Sequence, residues 1–310
     1  MRIKQFRRAL NNSTVSNAVR STRRIFFNHL FQSVEERGHF HVDQMYGAGS
    51  GILLKNEGKF YLLTAHHVID NATSYRFNNE SPFWITSKSK YGVKTLYDFL
   101  MPAQIFHIGE LIVDKGVSID SSDLVLIELF YPPPMHMPDN YIDLDSRPRR
   151  TLRKDEYFEG QLLLASGFPF EKNYFEFHDE VKEHFTHSTP VQRHICEGVC
   201  KSDGGEPYMT IDGISDGSYM RLSGASGGIV TNITPKSNQV RMAGMLLSAG
   251  SNIIRFIPAY LIEYAIQNKA SARRTLVDPA MLRAFSLEEH MAMASQYAAT
   301  VRNEAKPSRI

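Results

Sequence analysis

The sequence predicts a mainly β protein built as antiparallel barrels, with helical segments before and after them. Many short apolar runs fill the middle of the chain, and Gly, Pro and Asn punctuate them, which favours barrels over a parallel sheet. A Pro-rich, polar, strand-poor stretch, Pro132–Lys154, divides these runs into two halves. Helical periodicity is strongest towards the two ends.

Residues 1–40 read as a basic helical extension. Ile3, Phe6 and Leu10 fall on one helical face among basic residues, and a second helical stretch over Arg24–Glu36 carries Ile25, Phe26, His29, Leu30 and Phe31. The plain expectation is that this extension packs on the main domain; contact with a membrane surface or a protein partner is the sharper one. Residues 41–270 read as the β domain. The runs Gly51–Leu54 and Phe60–Leu63 flank the turn signal Asn56-Glu57-Gly58 and predict a hairpin. Further strands are expected over Ala103–Ile108, Leu124–Leu129, Gln161–Ala165, Val191–Cys200, Tyr219–Leu222, Gly228–Thr231, Val240–Ser248 and Ile253–Ile257. The charged, His-rich segment Glu171–Pro190 reads as a surface loop or an insertion. After Pro258 the pattern turns helical, with Leu261, Tyr264 and Ala265 as an apolar stripe. Residues 271–310 read as a helical tail: Asp278-Pro279 is a helix start, Ser286–Glu289 fits a capping box, and Leu287, Met291, Ala294, Tyr297 and Val301 follow at helical spacing.

With 310 residues and 42% hydrophobic content the chain can build a sizeable core. The 35 basic and 33 acidic residues nearly cancel, and no nucleic-acid-binding motif accompanies the terminal basic cluster, so a nucleic-acid partner is not expected. The amino-terminal segment has no apolar secretory core, and no run approaches the ~20 apolar residues of a membrane span. Sequons at Asn12, Asn71 and Asn232 carry meaning only on export. The two cysteines, Cys196 and Cys200, would lie roughly 13 Å apart along a strand, beyond the reach of a disulfide. They read as reduced thiols, and the expected location is cytoplasmic.

Three local signals carry chemistry: Leu63-Thr64-Ala65-His66-His67-Val68 at a strand end, Ser122-Asp123-Leu124-Val125 at a strand start, and Gly224-Ala225-Ser226-Gly227-Gly228 between strands. A serine hydroxyl needs an adjacent base and donors for the oxyanion formed on attack. Glycines around Ser226 permit a sharp turn, with the Gly224 and Ser226 N–H groups as candidate donors. A histidine serves as base because its pKa lies near neutrality. A carboxylate must orient it. At this point His66 or His67, and Asp120 or Asp123, are open. His184, His187, His194, Cys196 and Cys200 also cluster, but without a common metal-binding spacing, so no metal is assigned.

These motifs together resemble the trypsin-like serine peptidases, and most closely the peptidase domain of the HtrA type, over roughly residues 45–268. Thr64-Ala65-His66-His67-Val68 is similar to the family's histidine motif, with His67 as the base. Asp123 opens a strand like the family's aspartate. Leu164–Pro169, Cys196–Val199, Ala243–Leu247 and Phe256–Pro258 follow in family order. The resemblance implies two six-stranded barrels, a His67–Asp123–Ser226 triad, and an acyl-enzyme route to peptide-bond hydrolysis without a cofactor. No PDZ-like domain is expected, since only about 40 residues follow the barrels. The partners implied are a protein or peptide substrate and a regulatory protein. By family position Met220 forms the base of the S1 pocket, and Leu247, Ser248 and Ala249 form a wall. With no acid there, an apolar or small P1 residue is expected. Ala225 stands where activated digestive-type enzymes carry an aspartate, so activation by a new amino-terminal ion pair is not expected. The rival reading is a catalytically silent protease fold kept for protein binding.

Overall fold

The computed structural model describes residues 3–28, 45–69, 83–89, 99–100, 102–112, 120–132, 137–173, 176–178, 186–188, 191–202, 206–211, 224–250 and 252–276. The first half is an antiparallel sheet assembled from β1 (Thr22–Asn28), β2 (Met45–Asn56), β3 (Lys59–Ala65), β4 (Phe83–Thr86), β5 (Phe99–Leu100), β6 (Pro102–Phe106) and β7 (Leu124–Leu129), with β8 (Ile142–Asp143) pairing parallel to β2. The β2–β3 hairpin closes through Glu57 and Gly58, whose φ values of 50° and 76° give the left-handed two-residue turn that matches strand twist. Strands β3 and β7 are buried almost throughout, as strands in the middle of a covered sheet must be.

The second half contains β9 (Leu162–Gly167), a small hairpin of β10 (Glu176–His178) and β11 (Thr186–Ser188), then β12 (His194–Lys201), β13 (Tyr208–Thr210), β14 (Ile229–Asn232), β15 (Met242–Gly250) and β16 (Ile253–Pro258). Six of these close into a barrel in the order β12-β13-β16-β15-β14-β9. Its core is Leu163, Ala165, Met209, Val230, Leu246 and Phe256 with their neighbours. The helix Ala259–Gln267 then crosses back to the first sheet, burying Ile262, Ala265 and Ile266 in that sheet's core, and β17 (Arg274–Leu276) pairs with β6. A mainly β, chymotrypsin-like fold results.

Several expectations need correction. Among the described residues only the second half closes as a six-stranded barrel; the first is a nine-stranded sheet ordered β17-β6-β7-β3-β2-β1-β4-β5 with β8 attached to β2. The stretch Glu171–Pro190, read as a surface loop or an insertion, contains the β10–β11 hairpin, which corrects the loop alternative only. Arg274–Leu276, expected to open a helical tail, is a strand, and residues 277–310 lie outside the described residues. Most consequentially, the segment read as helical from Arg24 begins as strand β1. Its register, Thr22↔Ile52 through Ile25↔Gly49 against β2 and Ile25↔Ile85 against β4, supplies backbone partners on both sides, and tertiary pairing overrides the local helical pattern.

Two arginines on β1 explain why that pairing is specific. Arg23 and Arg24 are essentially fully buried. Arg23 donates to the carbonyls of Thr86 (2.9 Å), Ser87 (3.2 Å) and Asn140 (2.9 Å), to Arg20, and to Asp139 (3.3 Å). Arg24 donates to Asn173 O (2.6 Å), reaching from the first sheet into the second half. The guanidinium fork suits this bonding to several carbonyls at once. Burial alone would raise the Asp139 carboxyl pKa, but hydrogen bonds from Ser89 and Asn140 and the charge of Arg23 outweigh it and hold the pKa below the ordinary value. The preceding helix, Ile3–Thr14, lies on the second half: Asn12 Nδ2 donates to Pro235 O (2.6 Å), and Thr234 N donates to Ser13 Oγ (3.3 Å).

Arg23→Ala should therefore cost about 3–5 kcal/mol, the scale for breaking a buried charged network, read as a lower denaturation midpoint in urea. A lowered folded-state pKa contributes stability above the unfolded-state pKa, and that contribution is lost as pH falls through the carboxylate range. The acid limb of the stability profile should accordingly be shallower in Arg23→Ala than in the native chain.

Candidate active site

Strand β3 is buried up to Ala65, then breaks into one helical turn, His66–Ile69. Val68 and Ile69 anchor this turn in the core. Val68 seats against Gly49, where a Cβ would lie only 2.4 Å from Val68 Cγ1. The turn leaves His67 exposed at the sheet end. Because β7 pairs antiparallel with β3 in the register Ala65↔Leu124, the residue preceding β7 arrives beside it. That residue is Asp123. Its Oδ1 accepts the His67 backbone N–H (2.8 Å), and its Oδ2 lies 2.5 Å from His67 Nδ1. An ionised carboxylate can only accept, so the ring proton belongs on Nδ1 and Nε2 is left as the basic nitrogen. Asp120 is used otherwise: it caps the short turn Ser121–Asp123, accepting from Ser122 N (3.1 Å) and Ser122 Oγ. His66 packs its ring 5.4 Å from that of His107. Burial, with Arg273 and His66 adding, lowers the His107 pKa and favours its neutral form.

Ser226 lies on a turn whose shape depends on two left-handed glycines, Gly224 (φ 87°) and Gly227 (φ 81°). A Cβ on Gly227 would lie 2.0 Å from Ser50 O. Ala225 points into the barrel core, almost fully buried and in close contact with Gly167. The N–H groups of Gly227 and Gly228 are taken, by Leu246 O (2.8 Å) and Ala225 O (2.9 Å). The N–H groups of Gly224 and Ser226 donate to nothing among the described residues. The Ser226 hydroxyl donates to Leu247 O at 3.0 Å and is not bonded to His67. Leu247 can offer that carbonyl because it is the extra residue of a bulge: Leu246 pairs with Phe256 and Ser248 with Arg255, leaving Leu247 without a ladder partner.

His66, His67, Asp120, Ser122 and Asp123 from the first half, and Leu247, Ser248 and Arg255 from the second, line one cleft of ≈ 590 Å³. Among the described residues, β15 beyond Leu246 has a neighbour on one side only, and Ser248, Ala249 and Gly250 are exposed, so the cleft has a strand edge that no described strand pairs with. Met220 lies outside the described residues. Reading the sequence alone missed Ser50, Arg255 and the Leu247 bulge. The triplet Gly49-Ser50-Gly51 was the available sign for the first, since glycines within a strand mark close backbone approach.

No group of three potential metal ligands occurs among the described residues. His184 and the side chain of His187 lie outside them. His194, Cys196 and Cys200 are all on β12, and both thiols are free. Burial, with nearby glutamates, pushes each thiol up to about 11, and burial lowers the His194 pKa. No described helix is long and apolar enough to cross a membrane.

No protein-family model matches the chain, and no curated protein sequence matches it. Solved structures of similar fold include human heparin binding protein (TM-score 0.48, 8% identity) and a mutant of it (0.47, 10%). Each comparison covers 82% of this chain and 92% of the other.

Gly227→Ala should be far more damaging than Gly160→Ala. Both glycines have positive φ, but nothing lies within 4 Å of a Cβ on Gly160. Urea denaturation should show a loss of about 1 kcal/mol at Gly160 and about 2–4 kcal/mol at Gly227, where overpacking adds to the backbone strain.

Proposed function

We propose that this protein is a serine endopeptidase, with Ser226 as nucleophile, His67 as general base and acid, and Asp123 as the group orienting His67. The two-point grip of Asp123 on the His67 N–H and Nδ1 carries the reading: it leaves Nε2, on a ring that lines the cleft, as the base. In the triad mechanism, for which this fold is itself the usual worked example, Nε2 takes the Ser226 proton as Oγ attacks the scissile carbonyl. His67 then passes the proton to the leaving amine, and water hydrolyses the acyl-enzyme. The N–H groups of Gly224 and Ser226, which donate to nothing among the described residues, are the donors assigned to the oxyanion. For this chemistry the Ser226 hydroxyl must turn from Leu247 O to His67.

Substrate would add as a strand to the free edge of β15, its backbone N–H groups meeting carbonyls there. Met220, Leu247, Ser248 and Ala249 are assigned to specificity, with an apolar or small P1 side chain. The finer kinship proposed is with the HtrA-type branch, on the motifs around His67, Asp123 and Ser226. Ala225, buried against Gly167, offers no carboxylate for a new amino terminus, so activation by that ion pair is not assigned, and the chain is either made active or controlled by its extension, its tail or a partner. A cytoplasmic setting accords with the two free thiols. A regulatory protein partner belongs to this reading; a membrane-surface role for the basic amino-terminal helix is the lesser proposal.

One observation favours the second reading, a silent protease fold that binds protein: the Ser226 hydroxyl rests on Leu247 O. Treatment of the uncut chain with a fluorophosphonate, followed by mass mapping of the adduct, separates the two. Labelling at Ser226 that Ser226→Ala and His67→Ala abolish is the expected result; a folded but unlabelled chain favours the binding module. A peptide-library profile should then show apolar or small P1 residues, and dominance of Arg, Lys, Asp or Glu would contradict the pocket assignment.

A further inference from the structure

Ser50 lies in β2, opposite Arg24 of β1, with no solvent exposure. All of its polar groups are engaged, and most reach across to the second half. Its N–H donates to Ser226 O (3.2 Å). Its Oγ donates to Gly224 O (3.1 Å) and accepts from Phe168 N (2.8 Å). Its carbonyl accepts from Thr64 Oγ1 (2.7 Å) and forms the surface on which Gly227 rests.

We propose that Ser50 is the positioning residue that fixes the nucleophile turn and keeps the Gly224 and Ser226 N–H groups aimed at one point. The inference rests on the peptidase reading for its catalytic consequence, but not for its structural content. The Gly224 carbonyl belongs to the peptide unit lying between those two donors. Gly224 has no side chain to restrain it, and Ser50 Oγ is the donor that holds its carbonyl. The Ser226 carbonyl, in the next peptide unit but one, is held by Ser50 N–H. One residue of the first sheet thus clamps the units on both sides of the Ala225–Ser226 peptide. Rotation of the Gly224–Ala225 unit would turn the flanking N–H groups apart and dismantle the oxyanion site without displacing His67 or Asp123.

Ser50→Ala removes the two Oγ bonds and keeps the backbone ones. The comparator is Ser21→Ala, a buried hydroxyl just before β1 that donates to Ala18 O, away from the cleft. In Ser50→Ala, kcat on a peptide substrate should fall about 10–100-fold, a fraction of what losing a whole oxyanion donor costs. KM should stay within about threefold, and a peptide aldehyde, whose adduct needs the oxyanion site, should bind at least about tenfold more weakly. Amide hydrogen exchange at Gly227 and Gly228 should quicken. Ser21→Ala should show none of these changes at comparable thermal stability. Unchanged exchange at the turn in Ser50→Ala, or an equal loss of kcat in Ser21→Ala, overturns the proposal. An inactive native chain would count against the peptidase reading, and turn exchange in Ser50→Ala would then decide the positioning role by itself.

Discussion

Backbone meets backbone where the two halves join at the Ser226 turn. The carbonyl of Ser50 sits where any side chain on Gly227 would have to go, and the Ser50 N–H reaches the carbonyl of Ser226. With no side chain between them, the surfaces have little freedom to slide. This contact decides how the cleft is assembled, because His67 and Asp123 come from the first sheet while Leu247, Ser248 and Arg255 come from the barrel. Small errors in such placement are costly to any bimolecular chemistry that depends on near-contact geometry.

Burial of the amino-terminal strand serves the same end. Ser50 can face the turn only because β2 is held in place along its other edge by β1, in a register running from Thr22↔Ile52 to Asn28↔Met45. Arg24, directly opposite Ser50, sends its guanidinium to the carbonyl of Asn173, and Asn173 in turn braces the segment after β9 by bonding Pro169 O and Gln192. Phe168, one residue earlier, donates to Ser50 Oγ. A segment that looks like a basic appendage in sequence is therefore an inner strand of the first sheet, and two of its charges are structural.

What could be read in the sequence was local. The hairpin at Glu57-Gly58 announced itself through its turn residues, and β7 spans the mostly apolar stretch Leu124–Leu129 in which a strand was expected. The His67, Asp123 and Ser226 segments stood out because each places a reactive side chain at a strand end or a glycine turn, and the β3–β7 register brings the first two together. What could not be read depended on distant partners. Arg23-Arg24-Ile25 gives no sign that carbonyls from Thr86, Ser87, Asn140 and Asn173 will enclose both guanidinium groups, so the local pattern from Arg24 reads as a helix rather than a strand. The Leu247 bulge has no marker residue, since an extra residue in a ladder is defined by the strand opposite.

That bulge gives the site a chemical logic beyond the list of reactive groups. The Leu247 carbonyl, freed from the ladder, is where the Ser226 hydroxyl now rests, and it stands at the start of the β15 edge that no described strand pairs with. Under the peptidase reading, a peptide adding to that edge would bring an N–H to the same carbonyl. A carbonyl oxygen carries two lone pairs and can accept both donors, so an arriving backbone N–H would release the serine only where it takes the position the hydroxyl now holds. The hydroxyl would then find its stronger partner in the basic Nε2 of His67. Substrate binding and nucleophile activation would be linked through a single carbonyl, and a resting Ser226 turned away from His67 would be compatible with an active enzyme.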